Sequence, residues 1–440
     1  MTSADVNLSN HSLDPLSLGD AFLRTRRFTE RLCSPLAIED FGLQSMTDVS
    51  PAKWHLAHAS WFFEKFVLME YFPHYRPYSN DYLLLFNSYY HAAGKLFERK
   101  NRGLLSRPTV AEVYAYRQHV DNEIKTALEY LNANFSESLA KRILLGIHHE
   151  QQHQELILMD QKYNFAQNPM LPTYLPARRP TGLLNQAPVA WLPVNQGVHI
   201  VGHNAEAFCF DNEMPAHRVY IGECFLSSHL VTNLEFIEFM EDGGYRDPLL
   251  WLSEGWQWVT QNNINSPLYW YKQDTESWEV FTLHGLQSIQ NSDPVCHVSF
   301  FEADAFARWA GSRLPTESEW ETVARHRPII GHLLDDEAES ANDWLEPSAL
   351  DQTSGASSQF YGDTWEWTAS PYSEYPGFQP FPGMPREYNG KFMCNQMVLR
   401  GGSSITPRSH IRPTYRNFFP PHSRWQLSGI RLARRTPLSC

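Results

Sequence analysis

The residues best suited to do chemistry are in the run His148-His149-Glu150-Gln151-Gln152-His153. On a helix, His149 and His153 are one turn apart and project from the same face, as a two-histidine metal clamp requires. Leu145, Gln152 and Leu156 share that face, which predicts that it points into a helical core. His58 lies between Trp54 and Trp61 on the apolar stripe of an earlier helix. Three histidines from two helices make a facial site with open positions, suited to Fe(II) oxygen chemistry or to catalytic zinc. The plainer reading of the His149/His153 pair is two core histidines satisfied by hydrogen bonds. His55 and His148 are each about 100° round the helix from the ligand position they neighbour. They should face elsewhere, as surface or outer-sphere groups. His149-Glu150-x-x-His153 also fits the zinc-protease pattern, with the glutamate as general base. No further His or Glu follows at metzincin spacing, and the second half does not read as a protease subdomain.

Positioning these groups falls to a helical first part. Apolar spacing predicts a helix near Leu16–Arg31, and a second opened by Ser50-Pro51 and running to about Phe72. Thr109 and Glu112 form a capping box for a third, whose Val113, Tyr116, Val120, Ile124, Ala127 and Leu131 make one stripe. A fourth runs from about Ser136 to Gln161, and together they predict an antiparallel four-helix bundle over residues 1–167. The connection from Tyr71 to Arg107 is rich in Tyr, Asn and Arg, and a connection that long is usually functional or disordered. Residues 168–188 carry Pro169, Pro172, Pro176, Pro180 and Pro188 and read as a linker. Residues 189–440 change to short strands and many turns. Their clearest helices are Phe301–Ala310, ended by Gly311, and a turn opened by Thr316 and Glu319. The fold class expected is α+β in two domains.

Composition narrows the function classes. The 440 residues are 42% hydrophobic and 19% charged, which is globular rather than disordered. A formal net charge of −13 argues against nucleic acid or an anionic membrane as partner, since both need basic surface. No apolar run approaches the roughly 20 residues of a membrane span, and no secretory signal is visible. The six cysteines are scattered without a CxxC pair, so reduced thiols in a cytoplasm are expected.

Six stretches together resemble the ergothioneine-biosynthesis sulfoxide synthases. Trp54-His55-Leu56-Ala57-His58 and His149–His153 resemble the iron-binding elements of that family's DinB-like bundle. Cys296-His297-Val298-Ser299, Ala307–Glu317, Gly362–Thr368 and Leu399–Ser403 resemble its formylglycine-generating-enzyme-like domain, a C-type-lectin-related fold. The match spans nearly the whole chain in the right order. The length leaves no room for the methyltransferase domain of ovothiol-type synthases, which act on histidine. Formylglycine generation itself would use a reactive cysteine pair near the C-terminal end, where only Cys394 and Cys440 lie.

The resemblance implies Fe(II) held by His58, His149 and His153, with hercynine, a thiol and dioxygen as substrates. It implies that Gln152 and Asn417 contact hercynine. Phe418 and Phe419 are candidates for its trimethylammonium group, or plain core. Where mycobacterial-type members have Asn-Trp-Asp, this chain has Asn417-Phe418-Phe419. Those members place their catalytic tyrosine in the second domain; the corresponding stretch here, Gly377 to Tyr388, shows Phe381 near that place. Asn87-Ser88-Tyr89-Tyr90 instead resembles the tyrosine pair of the cysteine-using type. The expected donor is therefore cysteine over γ-glutamylcysteine, with Tyr89 or Tyr90 supplying a proton or hydrogen atom. Arg99, Arg102 and Arg416 are candidates for binding substrate carboxylates. A zinc hydrolase and a non-catalytic binding module built on the same two domains remain as alternatives.

Overall fold

The computed structural model describes residues 13–176, 189–272, 277–335, 344–350, 358–381 and 388–435. Asp14 caps the first helix, α1 (Pro15–Cys33), by accepting the Ser17 N–H at 3.0 Å. Pro51 is the N-cap of α2 (Ala52–Phe63), every residue of which is buried. The helix continues through a π-turn at Glu64–Leu68 into α3 (Met69–Tyr71), close to the end expected from sequence. Within the long connection lies a short helix, α4 (Asn80–Leu85), so the segment is structured and folds back on the bundle. Trp54 and Trp61 hold it by donating their indole N–H groups to the carbonyls of Leu85 and Leu83. Thr109 and Glu112 make the predicted reciprocal cap of α5 (Val110–Ala133), and its predicted stripe is buried. Ser136 caps the longest helix, α6 (Glu137–Ala166). Helices α1, α2, α5 and α6 pack on one another as the four-helix bundle.

One buried carboxylate ties three of those helices together. Glu150 on α6 accepts from Arg26 (2.8 Å) and Thr29 (2.7 Å) of α1 and from Arg117 of α5. Its oxygens are held by α1 and α5 and not by the histidine clamp, so it is a strut of the bundle and not a general base.

The second domain is built from small sheets and short helices. One sheet joins β1 (Trp191–Val194), β4 (Cys224–Ser227) and β12 (Ala433–Arg434), bringing the two ends of the domain together. A hairpin pairs β2 (Gly197–Val201) with β3 (His217–Ile221), and a meander joins β5 (Trp270–Lys272), β6 (Trp278–Thr282) and β7 (Gly285–Ser288). The fourth sheet has the order β10 (Asn417–Phe419), β9 (Met397–Arg400), β8 (Trp365–Pro371), β11 (Ser428–Gly429). Helices α9 (Phe300–Trp309) and α10 (Glu317–Ala324) match expectation, both opened by capping boxes. Two more helices, α7 (Asn233–Glu241) and α8 (Ser253–Asn262), went unread in the sequence because each is short and aromatic-rich. Buried Arg431 and the Trp320 indole both donate to Glu366 on β8, so Gly362–Thr368 serves the core of this domain.

The two domains meet along α6. Glu155 accepts from the Trp365 indole (2.6 Å) and Thr406 (2.8 Å), and Lys162 donates to both oxygens of Glu346 and to His297. Gln152 thus turns toward the second domain and not into the bundle as expected, while His149 and His153 of the same face do meet α2. Cys33, Cys209, Cys224, Cys296 and Cys394 are unpaired. Cys440, Pro180 and Pro188 lie outside the described residues. No described helix is long and apolar enough to cross a membrane.

Candidate metal centre

Helix α2 presents His58 and helix α6 presents His149 and His153, all buried, with ligand nitrogens within 4.8 Å of one another. A cation fits this donor set on one specific ground. Both ring nitrogens of His149 are buried without a hydrogen-bond partner, a costly state for an imidazole unless a metal takes one lone pair. The His149 ring is clamped by stacking on Phe62 at 4.2 Å. His58 stacks between Trp54 (4.6 Å) and Trp61 (5.4 Å), and its Nδ1 donates to the Phe86 carbonyl at 2.6 Å. Its Nε2 therefore faces the cluster. Burial, then the neighbouring imidazoles, holds His58 and His149 well below the usual histidine range. Burial and His55 do the same for His153. The three are neutral at physiological pH, the form that coordinates.

Behind the cluster, His55 meets His153 through their Nδ1 atoms at 2.8 Å, and its Nε2 lies 3.1 Å from Asp160. His55 is thus an outer-sphere group, as expected. His148 is also turned away from the cluster, but it is buried against Phe208 and bonded to His410 of the second domain (2.9 Å), not exposed.

Gln152 bridges two tyrosines of the second domain. Its amide N–H donates to the Tyr415 hydroxyl (2.9 Å) and its carbonyl accepts from Tyr388 (2.7 Å). The Tyr388 ring lies 6.0 Å from that of His149. Tyr90 packs beside the same cluster against Trp61, Phe62 and Phe66, and Tyr89 stacks on it at 4.6 Å. Asn87 ties the turn by bonding the Tyr90 backbone on both sides. Burial pushes the Tyr89 hydroxyl up to about 12, and Tyr388 is also raised by burial, so both stay protonated as donors.

The other predicted contacts divide. Arg102 is buried, stacked on Trp54 at 3.4 Å and bonded to Ser50, and its Nε has no hydrogen-bond partner. Arg99 is exposed and turned to Asp48. Arg416 is committed within the second domain to Glu317, Asn212 and Ser373, which leaves it little to offer a substrate carboxylate. The Asn417 carbonyl accepts from the Phe418 N–H. Phe418 stacks on Tyr372 at 4.0 Å while Phe419 meets Trp425 edge-on, so the two rings lie on opposite faces of β10 and form no common cage.

Sequence reasoning did not single out Asp160, Tyr388, Tyr415 or His410. Asp160 had a readable signal, lying seven residues after His153 and hence two turns along the same helix face. The tyrosines and His410 had none, since only the docking of the domains brings them to α6.

Comparison with known proteins agrees with this arrangement. The family described as "DinB superfamily" matches residues 21–157, and "Sulfatase-modifying factor enzyme 1-like domain" matches residues 184–436. The hercynine oxygenase of Mycolicibacterium smegmatis is 35% identical over 330 residues, covering 70% of this chain and 74% of that protein. That of Mycolicibacterium thermoresistibile is 33% identical over 309 residues, covering 65% and 67%. The formylglycine-generating enzyme of Bos taurus is 29% identical over 174 residues, covering 37% and 45%. With both domains matched and a three-histidine site at their junction, this chain belongs to the hercynine oxygenase family.

Proposed function

We propose that this protein is an Fe(II)- and dioxygen-dependent sulfoxide synthase that joins cysteine to the imidazole C2 of hercynine in ergothioneine biosynthesis. The observation carrying the reading is the buried triad His58, His149, His153, with both His149 ring nitrogens left without a hydrogen-bond partner, in a chain of this family. The reaction balances without an external reductant. A thiol, an imidazole C2–H and O2 give the S–C bond, the S=O group and one water, and the two oxidations use the four electrons that dioxygen accepts. Bound iron would supply oxygen activation and favour the thiolate form of the donor.

The chain's own side chains do the rest. Gln152 keeps one N–H and one carbonyl lone pair beyond its bonds to Tyr415 and Tyr388, a match for the donor and acceptor of a neutral imidazole. Arg102 is the arginine best placed for a substrate carboxylate, since it is buried beside the cluster with an unused N–H. The phenols of Tyr89, Tyr90 and Tyr388 stand round the site, available to give a proton or hydrogen atom at the developing sulfoxide oxygen. Trp54, Trp61 and Phe62 wall off water on the bundle side. The ordered Asn87–Tyr90 turn supports cysteine as donor, because it presents the tyrosine pair that resembles the cysteine-using type. Zinc hydrolysis is disfavoured by Glu150, whose oxygens are held by Arg26, Thr29 and Arg117.

Oxygen uptake by the Fe(II)-loaded chain, with hercynine plus cysteine or γ-glutamylcysteine and product masses recorded, tests the proposal. Uptake that needs both substrates, with a hercynylcysteine sulfoxide formed, is the expected result. A γ-glutamyl adduct alone would reverse the donor. No uptake with either thiol by a folded, iron-loaded chain would end the synthase reading.

A further inference from the structure

The two histidine ligands that have protein partners are held in different ways. His58 is fixed by a backbone carbonyl, but His153 is fixed by another histidine, which is in turn bonded to a buried carboxylate. The direction of that chain can be worked out from its far end. Asp160 receives the Ser50 backbone N–H at 2.8 Å and the Trp425 indole N–H at 3.2 Å. Neither group can do anything but donate, and a carboxylate placed between such donors accepts. With Asp160 ionised, His55 Nε2, 3.1 Å away, carries the proton between them. A neutral His55 then has its lone pair on Nδ1, and the Nδ1 of His153, 2.8 Å away, must be the protonated partner. The opposite assignment would set a bare His55 Nε2 against the carboxylate, two acceptors at hydrogen-bond distance.

We propose that Asp160 and His55 are positioning residues of the metal centre, a two-step hydrogen-bond relay that holds His153 in its Nδ1–H tautomer with the Nε2 lone pair toward the cation. The inference rests on the reading that the triad binds a metal. Trp425 makes the second domain part of the relay, since its indole holds the Asp160 Oδ1 while Ser50 and His55 meet Oδ2. A wrong tautomer at a catalytic histidine is costly even where the geometry is kept, and outer-sphere partners of metal-bound histidine typically account for about 10–100-fold in affinity.

The test is a titration of the metal-free full chain with Co(II) against a competing chelator, reading both the binding constant and the visible ligand-field spectrum. His153→Ala serves as the reference for a lost ligand. His55→Leu should bind about 10–100-fold more weakly than the wild type. His55→Asn, whose side-chain carbonyl can accept the same His153 N–H, should recover most of that loss. Equal binding by His55→Leu and the wild type, or equal weakness of His55→Leu and His55→Asn, would overturn the relay while leaving the metal centre standing. Failure of the wild type to bind, or binding by His153→Ala as tight as the wild type, would instead remove the metal reading itself. If His55→Leu does not fold, imidazole 15N shifts of the Zn(II)-loaded wild type decide the matter, assigned with His55→Asn. They should show His55 protonated at Nε2 and His153 at Nδ1, and the reverse pattern would refute the relay.

Discussion

At the scale of single residues, the site offers three phenols and one buried carboxylate whose roles can be separated. Tyr90 packs among Trp61, Phe62 and Phe66, while Tyr388 is the tyrosine bonded to Gln152 and set beside His149. If a phenol steers oxygen chemistry toward C–S bond formation, its loss should divert turnover to the simpler reaction in which thiol and O2 give a sulfinic acid. Tyr90→Phe and Tyr388→Phe, assayed for the ratio of sulfoxide adduct to sulfinic acid, should show a shift in at least one. An unchanged ratio in Tyr89→Phe, Tyr90→Phe and Tyr388→Phe alike would remove the phenol from the chemistry. Glu150 makes a different prediction. Burial pushes its carboxyl up, but Arg117 and Arg26 outweigh that and hold it down at about 2. Its contribution to stability is therefore present above the ordinary carboxylate range and fades as pH falls from about 4.5 toward 2. Glu150→Gln should cost up to about 3–5 kcal/mol at pH 7, because it removes the fully buried carboxylate that Arg26 and Arg117 share and leaves them only Asp121 and Glu30. In urea melts this gap should close progressively below pH 5.

At the scale of the element, α6 carries the clamp, the Gln152 amide that meets Tyr388 and Tyr415, the bundle strut and both domain anchors on one helix. Its approach to α2 sets the distance between His58 and the clamp. Gly146 is what permits that approach, because a Cβ there would stand 2.4 Å from the Phe63 ring. Gly146→Ala should therefore destabilise the chain by about 1–3 kcal/mol through overpacking, although alanine is the better helix former by about 1 kcal/mol. Thermal melts would show the loss, and Co(II) affinity should fall with it as α2 moves away from the clamp. A stabilised variant with unchanged metal binding would mean that the helices can shift without disturbing the site.

At the scale of the whole molecule, the second domain acts as a wall of the site and not as a separate module. Lys162 spends all three of its N–H donors on Glu346 and His297, deep in the junction. Lys162→Met would leave the Glu346 carboxylate buried and unpaired, at a cost of about 3–5 kcal/mol. Because the cost falls on the junction, calorimetry should show the domains unfolding in two steps where the wild type unfolds in one. Iron affinity should drop as well, since Trp425 and Tyr388 reach the bundle only through that docking. A uniform fall in melting temperature with one transition would place the lysine in a general core role.

The sequence by itself determined the bundle helices, their caps and the three histidines, because these follow from local rules. A 3.6-residue period puts His149 and His153 on one face, and Thr109 with Glu112 caps a helix wherever the fold places it. It also determined the family, through motifs spread along both domains. Only the tertiary structure decided which side of α6 faces which domain. The apolar period marks a buried face without saying whether helices or a second domain bury it, so Gln152 was expected to point inward and instead meets Tyr388 and Tyr415. The same limit hid the pairing of Asp160 with His55 and the commitment of Arg416 to Glu317. Contacts between groups so far apart along the chain depend on how rigid elements dock, and no spacing rule records that.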